Sequence, residues 1–278
     1  MSIKVKLYFC VVFAFLFYSC ASIKNETFLV GTYSENSNQG INVIDFNAKN
    51  NSLTLKKVIT GVENPSFVIT NKAKTIVVTV EEIASIDGGK VTSFTYNSKY
   101  GTFKKVNSCF TKGNHPCTIA FSKDEKHILV GNYSGGNLGV FPIDKLGNLS
   151  EIKELIQHEG KSINTNRQEK PHVHSIVLHP SENKIFVTDL GTDEIEIIPI
   201  DEDPKTILQK QHAMMTCKVP AGSGPRHLVF NKKGTKAYVT FELTNQIGVF
   251  NYLNNVLTFE KTINLTTDET KNGSAAEL

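Results

Sequence analysis

Prolines mark the period of this chain. Pro65, Pro116, Pro171 and Pro225 are separated by 51, 55 and 54 residues. Each opens the same phrase: a turn, a short apolar strand, a polar turn, and a second β-branched strand ending in a polar cluster. The copies run from Pro65 to Glu81, from Pro116 to Tyr133, from Pro171 to Asp189 and from Pro225 to Glu242. Between them lie further strand-like runs joined by Gly-containing turns, such as residues 89–96 and 102–106. Each unit is therefore expected to be four short antiparallel strands. Helical spacing of apolar residues is not sustained anywhere after residue 20, which excludes a solenoid of helical hairpins. The fold class is all-β: a β-propeller of four-stranded antiparallel blades, with about five blades present. The absence of Trp excludes the repeat type built on a Trp-Asp dipeptide.

The two ends are expected to fall inside blades. Residues 28–33, 40–46 and 53–58 supply three strands before Pro65, as in a propeller whose first blade is completed by the C-terminus. The last residues, 273–278, look like the opening of another unit. An unclosed ring exposes sheet edges that pair or aggregate, so the chain is expected to be truncated at its C-terminus.

Lys4 and Lys6 precede an apolar run over residues 7–18, the pattern of an export signal too short to span a membrane. Residues 16–21, Leu-Phe-Tyr-Ser-Cys-Ala, resemble a bacterial lipobox, which would make Cys20 a lipid anchor; a simple cleaved signal is the alternative. The organisation expected is an export signal over 1–20 and a propeller over 21–278. Either processing route places the mature chain outside the cytoplasm, in the periplasm or at the cell surface, touching membrane only through the anchor. Cys109, Cys117 and Cys217 remain, an odd number without Cys-x-x-Cys spacing. They suit neither a zinc site nor a disulfide framework; they read as buried thiols, with Cys109–Cys117 pairing as the alternative. Forty per cent apolar and 21% charged residues exclude a disordered chain. A net charge of +3 from scattered basic residues gives no footprint for nucleic acid. The expected partner is a small molecule, and a monomer is expected.

Several phrases resemble one family. They are Val30-Gly31-Thr32-Tyr33 with Gly40-Ile41, Asn64-Pro65-Ser66, the run Gly131-Asn132-Tyr133-Ser134-Gly135-Gly136, and the run from Arg167 to Ser175. Asp189-Leu190-Gly191, the run from Gly222 to His227, and Ser274-Ala275-Ala276-Glu277 complete the set. In order and spacing they resemble the lactonase family of seven-bladed propellers, of the bacterial 6-phosphogluconolactonase type, related to a fungal carboxy-muconate lactonizing enzyme. The resemblance covers residues 28–278. It implies seven blades in the family, so that a blade and a half to two are missing here. It also implies a site built from a His, an Arg, a Glu sixteen residues after that Arg, and a second Arg in a later blade. His174, Arg226 and Glu242 match the first three, and the second Arg has no counterpart.

Opening a cyclic ester with water needs a base, donors for the oxyanion and a hold on the substrate. His174 is the candidate base, because an ordinary imidazole is neutral and accepting at working pH. Arg226 cannot lose its proton and serves as electrophile or anion clamp. Glu242 would orient either of them or act as the base itself. His172, His227, Arg167 and Asn132 are the expected substrate-binding residues. His172 and His174 are two apart on a strand and so are expected on one face, toward the channel or packed between blades. Glu242 matches Glu81 in the equivalent slot of an earlier blade, a recurrence that favours a structural role for it. His115, His127, His158, His179 and His212 fall at turns or strand ends and are expected in solvent. No Gly-x-Ser-x-Gly elbow, His-Glu-x-x-His or calcium loop is present, so direct water attack is expected, with no metal and no cofactor.

Three functions share these features: a lactone hydrolase, a non-catalytic binding or scaffold propeller at the cell surface, and a lactonizing isomerase. The corresponding turns differ from blade to blade in the polar groups they present, which favours a ligand site over a uniform scaffold.

Overall fold

The computed structural model describes residues 26–34, 39–200, 208, 215–266 and 274–278. The expected export signal with Cys20, and His212, lie outside the described residues. The nineteen strands named among the described residues form five antiparallel sheets in sequence order. The first sheet has three strands, β1 (Glu26–Val30), β2 (Ile41–Asn47) and β3 (Ser52–Ile59). The second comprises β4 (Val68–Thr70), β5 (Ile76–Glu81), β6 (Lys90–Asn97) and β7 (Thr102–Phe110). The third comprises β8 (Pro116–Phe121), β9 (His127–Asn132), β10 (Asn137–Pro142) and β11 (Glu154–Gln157). The fourth comprises β12 (Val173–Leu178), β13 (Lys184–Asp189), β14 (Glu194–Pro199) and β15 (Met215–Lys218). The fifth comprises β16 (Pro225–Phe230), β17 (Lys236–Phe241), β18 (Gln246–Leu253) and β19 (Val256–Asn264). These five sheets are the blades that the period predicts.

The core lies between blades rather than within any one of them. Successive side chains of a strand point to opposite faces, so each second strand feeds two cores. On β5, Ile76, Val78 and Val80 pack toward the third blade, with Ile119, Val130 and Phe141. Val77 turns the other way, onto Ile41, Val43 and Val62 of the first blade and the loop after it. On β9, Ile128 and Val130 join the first of those clusters, while Leu129 meets Val140, Ile176 and Val187. On β13, Ile185 and Val187 pack with Leu129, and Phe186 packs with Val239 and Phe250 of the fifth blade. A strand buried on both faces must be apolar at almost every position, hence Ile-Val-Val-Thr-Val and its analogues. Each fully buried side chain of this size contributes roughly 1.5–3 kcal/mol.

In blades two to five the hairpin between the first and second strands is closed by a polar residue at one recurring position. Asn71 Oδ1 accepts the amides of Thr75 and Ile76 at 2.8 and 2.9 Å. Asn231 Oδ1 accepts those of Thr235 and Lys236 at 2.9 and 3.2 Å, and Ser122 Oγ accepts that of His127 at 3.0 Å. In the fourth blade the residue is His179, whose Nδ1 accepts the Glu182 amide at 3.0 Å. Its Nε2 lies 3.0 Å from the Gly234 carbonyl in the fifth blade, and its ring packs against Phe186, Phe230 and Tyr252. His179 is therefore buried and not in solvent as its turn position suggests.

Candidate active site

The same short stretch of each blade builds the site. In blades two to five, the residue after the second strand donates its backbone N–H to the residue before the first strand's opening position. The pairs are Glu82 to Asn64, Tyr133 to His115, Leu190 to His172 and Glu242 to Gly224, at 2.9–3.0 Å. Asn64, His115 and Gly224 have φ of 45°, 53° and 63°, a left-handed turn that Asn, His and Gly adopt at low cost. A β-bulge follows: pairing shifts between Pro116 and Thr118, between Val173 and Ser175, and between Pro225 and Leu228. A bulge re-aims the side chain that it leaves unpaired. The residues so placed, Cys117, His174 and Arg226, all line one cavity of about 510 Å³, joined by Ser66 from the same position of the second blade. Tyr33, Glu82, Tyr133, Arg167, His227, Glu242 and Glu277 complete its polar wall.

This phase corrects two sequence-based alignments. In the fourth blade the opening position is Val173, so Pro171 stands two residues early. Glu242 corresponds to Glu82, whereas Glu81 shares its position with Asn132, Asp189 and Phe241. The Glu81 position is buried and structural: Glu81 Oε1 accepts the Thr92 hydroxyl at 2.5 Å, and Asp189 Oδ1 accepts the amides of His172 and Gly191 at 2.7 and 2.9 Å. Gly191 is required there, because a Cβ would sit 1.9 Å from the Lys170 carbonyl oxygen.

Glu242 is held by two guanidiniums. Arg226 Nε donates to its Oε2 at 3.0 Å, and Arg167 Nη2 donates to its Oε1 at 2.5 Å. Arg167 reaches in from the loop between β11 and β12, whose path is fixed by the buried Gln168 donating to the Leu190 carbonyl at 2.9 Å. Arg167 Nη2 also lies 3.3 Å from Tyr133 Oη; the two acceptors favour the charged guanidinium and raise its pKa. Arg226 Nη1 donates to the Ala276 carbonyl at 2.6 Å, and Arg226 Nη2 has no protein partner among the described residues.

His174 Nε2 lies 3.9 Å from Glu242 Oε2, and its Nδ1 lies 3.9 Å from Cys117 Sγ. Its ring meets those of Tyr133 and His227 edge to face, each at 5.4 Å. Burial first, then the positive charge of Arg226, push its pKa down to about 3. The imidazole is therefore neutral at working pH, as the base reading needs, but such a pKa makes it a weak proton acceptor. Burial also lowers the His227 pKa, although Nδ1 of His227 lies 2.6 Å from Glu277 Oε2. Burial pushes the Cys117 pKa strongly up, keeping it a thiol.

The remaining expected site residues lie behind the wall. His172 precedes the bulge rather than alternating with His174, so the two do not share a face. Its ring stacks on Tyr133 at 4.4 Å and its Nδ1 lies 3.1 Å from the Tyr133 carbonyl. Asn132 is fully buried and donates to Asn137 Oδ1 at 2.7 Å. His158, expected in solvent, is buried between Asp189 (Nδ1 to Oδ2, 2.9 Å) and Glu196 (Nε2 to Oε2, 3.2 Å). Sequence reasoning missed Tyr33, Ser66, Glu82, Cys117 and Tyr133. Counting two and three periods back from Arg226 and Glu242 in the corrected phase finds Cys117, Ser66, Tyr133 and Glu82. Cys109, Cys117 and Cys217 are free thiols, without the Cys109–Cys117 disulfide. Among the described residues no cluster of His, Cys, Asp and Glu is arranged to hold a metal ion.

Comparison with known proteins agrees with the fold. A family model described as Lactonase, 7-bladed beta-propeller, matches residues 27–278. A 6-phosphogluconolactonase of Bacillus subtilis is 30% identical over 224 residues, which cover 80% of this chain and 61% of that protein. A second, from Formosa agariphila, is 30% identical over 233 residues, covering 83% and 65%. The crystal structure of a putative 6-phosphogluconolactonase from Bacteroides fragilis superposes with a TM-score of 0.82 at 31% identity, covering 89% of this chain and 69% of that one. A periplasmic gluconolactonase of Pseudomonas aeruginosa superposes with a TM-score of 0.81 at 28% identity, covering 90% and 71%. This chain thus spans less than two thirds of the length of those two curated relatives.

Proposed function

This chain belongs to the seven-bladed lactonase propeller family, and on that premise we propose that its cavity hydrolyses the ring ester of a sugar lactone by direct attack of water. The observation that carries the reading is the pair of guanidiniums converging on Glu242 beside a neutral imidazole, in a cavity large enough for a sugar ring. Arg226 Nη2 is free to donate to the lactone carbonyl, whose oxygen gains charge as the tetrahedral intermediate forms. Glu242 fixes the planes of Arg226 and Arg167, so those donors need not reorganise during reaction. Neutral His174 offers a hydrogen bond to a ring hydroxyl without adding charge, and His227, braced by Glu277, lies beside it. The names of the relatives support a gluconolactone, with or without a 6-phosphate, as substrate.

The test is hydrolysis of 6-phosphogluconolactone, gluconolactone and muconolactone followed by pH indicator. Turnover of one of them, reduced about 10²–10³-fold in Arg226→Ala, is the expected outcome. No turnover above the spontaneous rate from folded protein would sink the reading in favour of a binding propeller. Export through the 1–20 signal and anchoring at Cys20 are part of the same proposal, on the sequence pattern alone; fatty-acid labelling lost in Cys20→Ser tests them.

A further inference from the structure

We propose that Glu82, a residue the family resemblance does not point to, is the general base that takes the proton of the attacking water. The inference rests on the lactonase reading and concerns the part of the cavity lined by the second blade. Glu82 and Glu242 occupy one position in two blades, as their matching backbone hydrogen bonds to Asn64 and Gly224 show, and both line the cavity. Their surroundings differ. Each oxygen of Glu242 already accepts from a guanidinium, so that carboxylate is committed to holding the two arginines. Among the described residues Glu82 receives only hydroxyls, both on one oxygen: Tyr33 Oη at 2.9 Å and Ser66 Oγ at 2.5 Å donate to Oε2. Oε1 has no donor among the described residues.

A carboxylate anchored through one oxygen and open at the other is the arrangement a base needs: its orientation is fixed and one acceptor remains for the reacting proton. The other groups are less suited. His174 is buried beside Arg226 and resists protonation, and Cys117 remains a thiol. In the proposed step, Glu82 Oε1 accepts a proton from water as the water oxygen bonds to the lactone carbonyl carbon. The carbonyl π pair moves to the oxygen facing Arg226. When that pair returns, the bond from carbon to ring oxygen breaks, and Glu82 returns its proton to the departing alkoxide. The product is the open hydroxy acid, and Glu82 ends as it began.

The experiment uses the full-length protein on whichever lactone the wild type turns over. In Glu82→Gln, kcat is expected to fall about 10²–10⁴-fold, the span of general base catalysis, with little change in binding of the hydrolysed product. In Glu82→Ala, added formate or azide is expected to restore part of the rate, a signature that a merely structural role would not give. Wild-type activity together with kcat within threefold in Glu82→Gln overturns the inference and leaves the lactonase reading standing. Loss of rate without anion rescue, accompanied by loss of product binding, assigns Glu82 to binding and also overturns it. An inactive wild type removes both.

Discussion

The second and fifth blades present the same backbone to the cavity and opposite chemistry. At one position stands a glutamate in each, Glu82 and Glu242, and 16 residues earlier stands Ser66 in one blade and Arg226 in the other. A hydroxyl wall keeps its carboxylate available, whereas a guanidinium wall consumes its carboxylate to hold cations in place. Repetition supplies the address, and the neighbours decide what a glutamate at that address does.

Neutralising each glutamate should separate the two walls most sharply. Glu242→Gln leaves Arg226 and Arg167 without their counter-charge. It is expected to cost on the order of 2–3 kcal/mol of stability, below the full value for a buried pair because Arg167 is partly exposed. Activity should fall at least about 10²-fold with it, since the oxyanion donors lose their alignment. Glu82→Gln keeps an acceptor for Tyr33 and Ser66 and should cost no more than about 1 kcal/mol. Urea unfolding of both variants checks the contrast; equal losses would erase it.

Much of this comparison was legible before any coordinates. The blade count followed from proline and β-branched runs because a strand buried on both faces tolerates little else. Arg226 and Glu242 followed from their spacing within the family pattern. What stayed hidden was phase: a single inserted residue at each bulge turns the next side chain to the other face. Strict alternation therefore pairs His172 with His174, and a slip of one residue pairs Glu242 with the structural Glu81. The burial of His158 and His179 was equally hidden, because their partners Asp189 and Gly234 lie 31 and 55 residues away.

The acid response of stability should sharpen the contrast next. The folded His174 pKa of about 3 lies below its ordinary 6.5. Between those values the unfolded chain binds the extra proton, so this site lowers stability as pH falls below 6.5, by up to a few kcal/mol near pH 3. His227 acts in the same direction. His158 has the opposite sign, because its hydrogen bond to Asp189 and the nearby Glu196 charge outweigh burial and raise its pKa. Its contribution is full below pH 6.5 and is lost as pH rises through its folded value. Replacing His174 with Gln should flatten the decline of the urea midpoint between pH 7 and 4.5, and an unchanged slope would assign the acid sensitivity elsewhere.

The smallest effect is expected at the outer hydroxyl. Tyr33→Phe removes one of two donors to Glu82 and should lower kcat about three- to tenfold while leaving the folded state within ~1 kcal/mol. Combined with Ser66→Ala, the loss should approach that of Glu82→Gln if the hydroxyls act only by orienting it, as a double-mutant cycle would show.

None of the cavity-facing residues Ser66, Cys117, His174, Arg226 and Ala276 belongs to any of the four inter-blade cores described above. Selection can therefore act on them nearly independently of folding. A change of substrate could arise by single replacements at these addresses without a compensating change in the interior. A ring of this kind diversifies by exchanging its inner fittings while the walls are inherited intact.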